Sequence, residues 1–251
     1  MTSPTSAIDA VTFDYWDTLV RAPDPVDARG RRAEWVAAAL VRYELEIEDV
    51  RLREAIDAVA RDHHQSWLDN RQYTAEHASA QLLELLEVEA EAELLDDVIS
   101  SLSGEHEPPV VELTPNIADT LATLRDTGTR IGIVCDVGMA PSTVLRRHLE
   151  AHGVLALFDH WSFSDDVGVY KPAPAIFEHA LAGLGGVAPS RAAHVGDLRR
   201  TDVAGAKQMG MTAVRYRGAN DDAGRDDEPE ADHVIDDHAD LPTVLGVPTH
   251  A

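Results

Sequence analysis

The 251-residue chain is 44% hydrophobic and carries 45 acidic against 21 basic side chains, a formal net charge of -24. That length accommodates one large domain or a core domain plus a smaller one, and the acidic excess argues against DNA and RNA as partners, because polyanion binding needs a basic surface that releases counterions. No apolar run of about 18 residues occurs and Met1–Ser6 lacks the layout of a signal peptide, so a cytoplasmic protein with no membrane partner is expected. Cys135 is the single cysteine, which rules out an intrachain disulfide and a Cys-based zinc cage. Lys171 and Lys207 are the only lysines, and such an acid-rich, lysine-poor composition fits either a salt-adapted protein or an ordinary acidic protein from a GC-rich genome.

In chain order, residues 9–14 read as a buried strand that delivers Asp14 to its C-terminal end. Arg21-Ala22-Pro23-Asp24-Pro25 is a proline-broken link of the kind that separates domains. From about residue 28 to 103 the pattern is helical. Trp35, Leu40 and Tyr43 mark a first helix, and Leu52, Ile56, Val59 and Trp67 recur at three-to-four spacing on a second. Thr74 reads as the N-cap of a third helix carrying Leu82, Leu83, Leu85 and Leu86. Leu94, Leu95, Val98, Ile99 and Leu102 form a fourth apolar face that Gly104 ends. Four amphipathic helices without a strand between them predict a small helical bundle.

After Pro108-Pro109 helix and strand alternate. Helices are expected at about 115–127, 141–152, 173–184 and 202–209, and strands at Arg130–Cys135, His160–Ser164, Ala192–Asp197 and Met211–Tyr216. Repeated βα units predict an α/β fold, a Rossmann-like parallel sheet covered by helices on both faces. Gly218–Asp232 reads as a solvated acidic loop, His233–Ile235 as an edge strand, and residues 239–246 as a closing helical turn. The expected division is a core domain of residues 1–21 and 109–251 and an all-α cap domain of residues 22–108, inserted after the first strand.

In such a sheet, functional groups collect at the C-terminal strand ends. Those ends carry Asp14, Cys135-Asp136, Ser164-Asp165-Asp166 and Asp197, with Asp202 at the start of the next helix. Converging carboxylates repel one another unless a cation sits among them, and hard oxygen ligands favour Mg²⁺. Lys171, in Val169-Tyr170-Lys171-Pro172, is the natural counter-charge in a chain with almost no other lysine.

Phe13-Asp14-Tyr15-Trp16-Asp17-Thr18-Leu19, Ile131–Asp136, Gly168-Val169-Tyr170-Lys171-Pro172 and Gly196-Asp197 through Asp202 together resemble the four motifs of the haloacid dehalogenase superfamily. The resemblance implies a hydrolase in which Asp14 is a covalent nucleophile and Lys171 neutralises it and the transferring group. It further implies that Asp14, the Trp16 carbonyl and Asp197, assisted by Asp202, hold Mg²⁺. Thr18, Cys135 and Asp136 fall at substrate-binding positions. In the cap, His63, His64, Trp67, Arg71 and Tyr73 cluster, and Arg71 is the candidate for an anionic substrate group.

The motifs also depart from the family pattern. Its phosphatases read Phe-Asp-x-Asp-Gly-Thr-Leu, and the second Asp protonates the leaving oxygen. Trp16 stands there and cannot do so, a loss worth about 10²- to 10⁴-fold. Asp17 replaces the glycine, where it either caps the turn or stands in for the missing acid, and Cys135 replaces a Ser or Thr with a weaker donor. Haloacid dehalogenases carry an aromatic residue at the Trp16 position and displace halide without metal. Phosphonate-cleaving members use a cap lysine, which residues 22–108 lack. The sequence therefore predicts a Mg²⁺-dependent phosphohydrolase for a small phosphorylated metabolite with a good leaving group, acting as monomer or homodimer. The alternatives are a metal-independent dehalogenase-like hydrolase and a non-catalytic relative that binds a ligand or a protein.

Overall fold

The computed structural model describes residues 8–22, 25–105, 111–225 and 227–247. Met1–Ser6, Pro23, Asp24 and Pro108-Pro109, singled out above, lie outside them. Ordered along the chain are β1 (Ala10–Phe13), β2 (Val20–Arg21), α1 (Pro25–Arg42), α2 (Asp49–Leu68), α3 (Ala75–Leu85) and α4 (Ala92–Ser103). They are followed by β3 (Glu112–Leu113), α5 (Ile117–Asp126), β4 (Arg130–Cys135), α6 (Ser142–Ala151), β5 (His160–Phe163), α7 (Ser164–Val167) and α8 (Pro174–Gly183). The last are β6 (Ala192–Gly196), α9 (Ala204–Met209), β7 (Thr212–Tyr216), β8 (His233–Ile235) and α10 (Leu241–Val244). None of the described helices is long and apolar enough to cross a membrane.

The chain divides into two compact units. One comprises Met1–Arg21, Val111–Asp136 and Leu149–Ala251, and the other Ala22–Val110 and Val137–His148. The sequence expectation placed residues 137–148 in the first unit, whereas they group with the helices. Met139 packs on the helical core, and His63 lies so close to Gly138 that a Cβ there would come within 2.9 Å of the imidazole.

In the helical unit, residues three and four apart bury one stripe of each helix: Ala33, Val36 and Leu40 on α1, Leu52, Ile56 and Val59 on α2, and Leu94, Val98 and Leu102 on α4. Each such leucine contributes about 1.5–3 kcal/mol by leaving water. Thr74 caps α3, its hydroxyl accepting the His77 N–H, and Gly104 ends α4 in the left-handed region at φ 73°, its Cα against Trp35.

The first unit is built on a six-stranded sheet of order β5-β4-β1-β6-β7-β8, parallel throughout and flanked by helices. All four β1 residues are buried, as a central strand covered on both faces requires. The winding reverses at β1: the chain moves outward through β4 and β5, then returns to β6 on the other flank. That reversal opens a crevice at the C-terminal strand ends. Beside it β2 and β3 form a two-stranded antiparallel ladder, an element absent from the sequence expectation.

His238 anchors this ladder from below. Its Nε2 donates to the Thr18 carbonyl at 2.9 Å, and its ring stacks on Tyr216 at 3.9 Å. Burial pushes its pKa down to about 4, while the Thr18 carbonyl and Asp237 pull the other way. The unfolded chain, with histidine near 6.5, therefore takes up the proton first on acidification. The stabilising effect is whole above about pH 6.5 and is lost as the pH falls toward 4, by up to about 3 kcal/mol. Urea unfolding of wild type and His238→Gln at about pH 7 and about pH 4.5 measures it. The wild type is expected to lose more stability than the variant over this interval, and equal losses would refute the assignment.

Most described residues of the Gly218–Asp232 stretch are exposed and none is buried, as expected of a solvated loop, and two arginines pin it in addition. Arg215, with a side chain only 3% exposed, clamps Glu230 through Nε and Nη2 at 2.9 and 3.0 Å and reaches Asp221 through Nη1. Arg199 holds the Asp222 carbonyl and Glu230, both at 2.9 Å. The two guanidinium groups draw the Glu230 carboxyl down to about 2. The two cations that hold it arrive from the folded core.

Candidate active site

Asp14 directly follows β1, and its N–H continues the ladder onto the Val195 carbonyl of β6 at 2.8 Å. Asp197 directly follows β6. Between Asp197 and α9 the backbone makes one π-helical turn, Arg199–Val203, where a regular helix was expected at residues 202–209. The wider turn swings Asp202 back over Gly196, and a Cβ on Gly196 would lie 2.2 Å from the Asp202 Cγ. Glycine is needed at position 196 for that close approach.

Asp14, Asp197 and Asp202 each place a carboxylate oxygen within 4.8 Å of the others, and all three are buried. Lys171, 2% exposed, ion-pairs with Asp14 and donates to Asp202 Oδ1 at 2.7 Å. Its own N–H is held by Asp136 Oδ1 at 2.8 Å, so Asp136 positions the lysine backbone. Asp202 is saturated. Oδ1 takes Lys171 Nζ and His194 Nε2, and Oδ2 takes the Leu198 N–H at 3.0 Å and the Thr201 hydroxyl at 3.4 Å.

Burial pushes Asp14 up to about 7 against the pull of Lys171. Asp197 is driven well above the carboxylate range by burial and by the charges of Asp14 and Asp202. Asp202 is buried too, yet Lys171 and His194 hold it below that range. Burial keeps the His194 imidazole below its ordinary value. Three carboxylates thus share one ammonium, and the deficit of positive charge falls on Asp14 and Asp197. Such a cluster can bind a metal cation. Among the described residues no backbone N–H donates to the Trp16 carbonyl.

The other sequence-selected residues are placed as follows. Thr18 is fully buried, and its carbonyl accepts from Thr114 Oγ1 at 2.6 Å and from His238. Its hydroxyl has no hydrogen-bond partner among the described residues. Cys135 is fully buried, with its thiol pushed well up by burial and by the charge of Asp14, so it stays an inert thiol. The Trp16 ring is half-buried, edge-on to Tyr15 at 5.1 Å. Asp17 sits in the left-handed region at φ 53°, which accounts for glycine at this position in the family. Arg71 belongs to the helical unit, where it is exposed and reaches Asp69 at 3.5 Å.

Sequence reasoning missed two residues. Asn220, on the loop pinned by Arg199 and Arg215, donates from Nδ2 to Asp197 Oδ2 at 2.7 Å. His194, inside β6, faces Asp202. A histidine within an apolar strand carries no distinguishing signal, and neither does an asparagine in an acidic loop.

A reversal point in a parallel sheet, lined with buried carboxylates and a buried lysine, belongs to an α/β enzyme of the Rossmann-like class. The model of the haloacid dehalogenase-like hydrolases matches residues 8–210, and the chain belongs to that family. A glyceraldehyde 3-phosphate phosphatase of Methanopyrus kandleri is 36% identical over 124 residues, 49% of this chain and 52% of that enzyme. The match therefore spans about half the length of this relative. Haloacid dehalogenase-like hydrolase domain-containing protein 3 of Bos taurus is 27% identical over 88% of this chain and 87% of its own. Among solved structures, a HAD phosphatase from Thermococcus onnurineus superposes with a TM-score of 0.66 at 27% identity, covering 97% of this chain and 100% of that one. A 2-haloacid dehalogenase from Pseudomonas syringae superposes with the same score at 25% identity, covering 95% and 98%.

Proposed function

We propose that the chain is a Mg²⁺-dependent phosphohydrolase that transfers a phosphoryl group from a small phosphorylated metabolite to Asp14 and then to water. The observation that carries this reading is the buried cluster of Asp14, Asp197 and Asp202 around Lys171, short of positive charge at the two residues closest to the strand ends. The phosphatase names of the archaeal relatives support it. Asp14, Asp197 and the Trp16 carbonyl would hold the ion, which when bound supplies positive charge that lets an anionic phosphoryl group approach Asp14. Asp202, its oxygens already taken, supports Lys171.

Asp14 attacks phosphorus with a carboxylate oxygen: the Asp14 O–P bond forms and the bond from phosphorus to the leaving oxygen breaks. Lys171 opposes the protonation of Asp14 that burial favours and balances charge on the transferring group. Because Trp16 offers no proton, the leaving oxygen departs as an anion, which favours acyl phosphates and aryl esters over alkyl esters. Water then cleaves the aspartyl phosphate, releasing phosphate and restoring Asp14.

The test is phosphate release from acetyl phosphate and p-nitrophenyl phosphate, with Mg²⁺ and with EDTA. Release is expected only with Mg²⁺, and Asp14→Asn is expected to lower it by about 10³-fold or more. The aromatic Trp16 favours one second reading, a dehalogenase that displaces halide from a carbon acid. Chloride release from 2-chloropropionate in EDTA, without phosphate release from either ester, would replace the first reading by the second.

A further inference from the structure

Beneath the carboxylate cluster runs a line of buried polar groups that the reaction above does not touch. The parallel register sets Thr12 of β1 directly beside His194 of β6. Thr12 precedes Asp14 by two residues, so both side chains point to the same face of the sheet. His194 is 1% exposed. Its Nδ1 lies 2.8 Å from Thr12 Oγ1 and its Nε2 lies 3.0 Å from Asp202 Oδ1. The same Asp202 oxygen receives Lys171 Nζ, which also pairs with Asp14.

We propose that His194 is a positioning residue for the reaction: it fixes Asp202 Oδ1 from below, and Asp202 in turn aims Lys171 at Asp14. This rests on the phosphohydrolase reading for its kinetic part only. A carboxylate accepts and never donates, so Nε2 carries the proton and the hydrogen bond runs from His194 to Asp202. In the neutral ring Nδ1 is then an acceptor, and the Thr12 hydroxyl, also 3.3 Å from the Ala193 carbonyl, turns its proton toward His194. The ring is further fixed by Phe177, edge-on at 5.1 Å and 88°. Phe177 fits because Gly205 has no Cβ, which would lie 2.3 Å from the phenyl ring. Partners behind functional side chains set orientation, and their loss typically lowers activity or metal affinity by about 10- to 100-fold.

The scarcity of lysine supplies a readout independent of turnover. Protein labelled with ¹³C at lysine Cε gives signals from Lys171 and Lys207 alone, and Lys207→Arg assigns them. His194→Leu removes both hydrogen bonds, His194→Asn retains an acceptor on the Thr12 side, and His194→Gln retains a donor on the Asp202 side. The expected result is a displaced Lys171 signal in His194→Leu and His194→Asn and a wild-type signal in His194→Gln, with Lys207 unmoved throughout. With acetyl phosphate and Mg²⁺, kcat falls by about 10-fold or more in the first two variants at nearly unchanged KM, and recovers in the third. A folded His194→Leu with wild-type Lys171 signal and kcat overturns the proposal. If His194→Leu does not fold, His194→Asn decides: a displaced Lys171 signal supports it and an unmoved one overturns it. If the wild type releases no phosphate from any probe, the reaction assignment fails, and the Lys171 signal alone decides the role of His194.

Discussion

Lys171→Met is expected to destabilise the protein by about 3–5 kcal/mol near neutral pH and to abolish phosphate release. The ammonium is 2% exposed and faces two carboxylates that are themselves buried. Removing one partner of such an arrangement strands charge in a medium that cannot solvate it, which is the costly way to break a buried ion pair. In a chain of this length the loss corresponds to a fall in melting temperature of about 10 °C. The pH dependence has a definite sign. In the wild type Lys171 and His194 hold Asp202 below the ordinary carboxylate range, so the stabilisation is present above the unfolded carboxylate pKa of about 3.9 and is lost as the pH falls below it. In the variant the freed carboxylates take up protons more readily, so the gap between the two proteins narrows on acidification. On the proposed function, Mg²⁺ is expected to narrow it as well, by supplying charge at Asp14 and Asp197. Thermal melts of both proteins, at two pH values and with Mg²⁺ or EDTA, measure these differences. A variant with the wild-type melting temperature at neutral pH would show that Lys171 carries no such load.

The parts of this molecule that were legible in the sequence are those whose cause is local. A largely apolar run without charged residues, as at Ala10–Phe13 or residues 131–135, reads as a strand buried on both sides, and the carboxylates after β1 and β6 follow from where such runs stop. What was hidden depends on contacts between distant residues. The β2–β3 ladder joins pairs of residues about ninety positions apart, each strand only two residues long, too short for any periodicity to register. The pinning of the acidic loop was not legible because Arg199 and Arg215, which hold it, sit in a motif and a strand that read as belonging elsewhere. The order of the strands decides that Thr12 touches His194, and nothing in either segment announces the pairing. Asp202 was legible as a site carboxylate, but not its saturation by four donors, since that depends on a π-helical turn.

The second large effect concerns the residue where this chain leaves the family pattern. Trp16→Asp is expected to raise turnover of an alkyl phosphomonoester by about 10²-fold, toward the gain that a positioned general acid supplies, while acetyl phosphate changes little because its leaving group needs no proton. The contrast between the two substrates is the decisive quantity, because a general loss or gain of folded protein would move both alike. The Trp16 ring is only half-buried, and its loss removes an edge-on contact with Tyr15 worth about 0.5–1.5 kcal/mol, which the fold can tolerate. Asp17 is the competing source of a proton, and burial does raise its carboxyl. Its backbone, however, is left-handed at φ 53°, and its charge is felt by Asp197, the carboxylate proposed to hold the ion. Asp17→Gly, restoring the family residue at a position where glycine pays no conformational penalty, is therefore expected to keep acetyl phosphate turnover within about 3-fold of wild type and to raise thermal stability slightly. The double variant Trp16→Asp with Asp17→Gly is expected to retain the full gain on the alkyl ester. If Asp17→Gly instead abolishes turnover of every ester, Asp17 is the acid, and the restriction to activated leaving groups does not originate at Trp16.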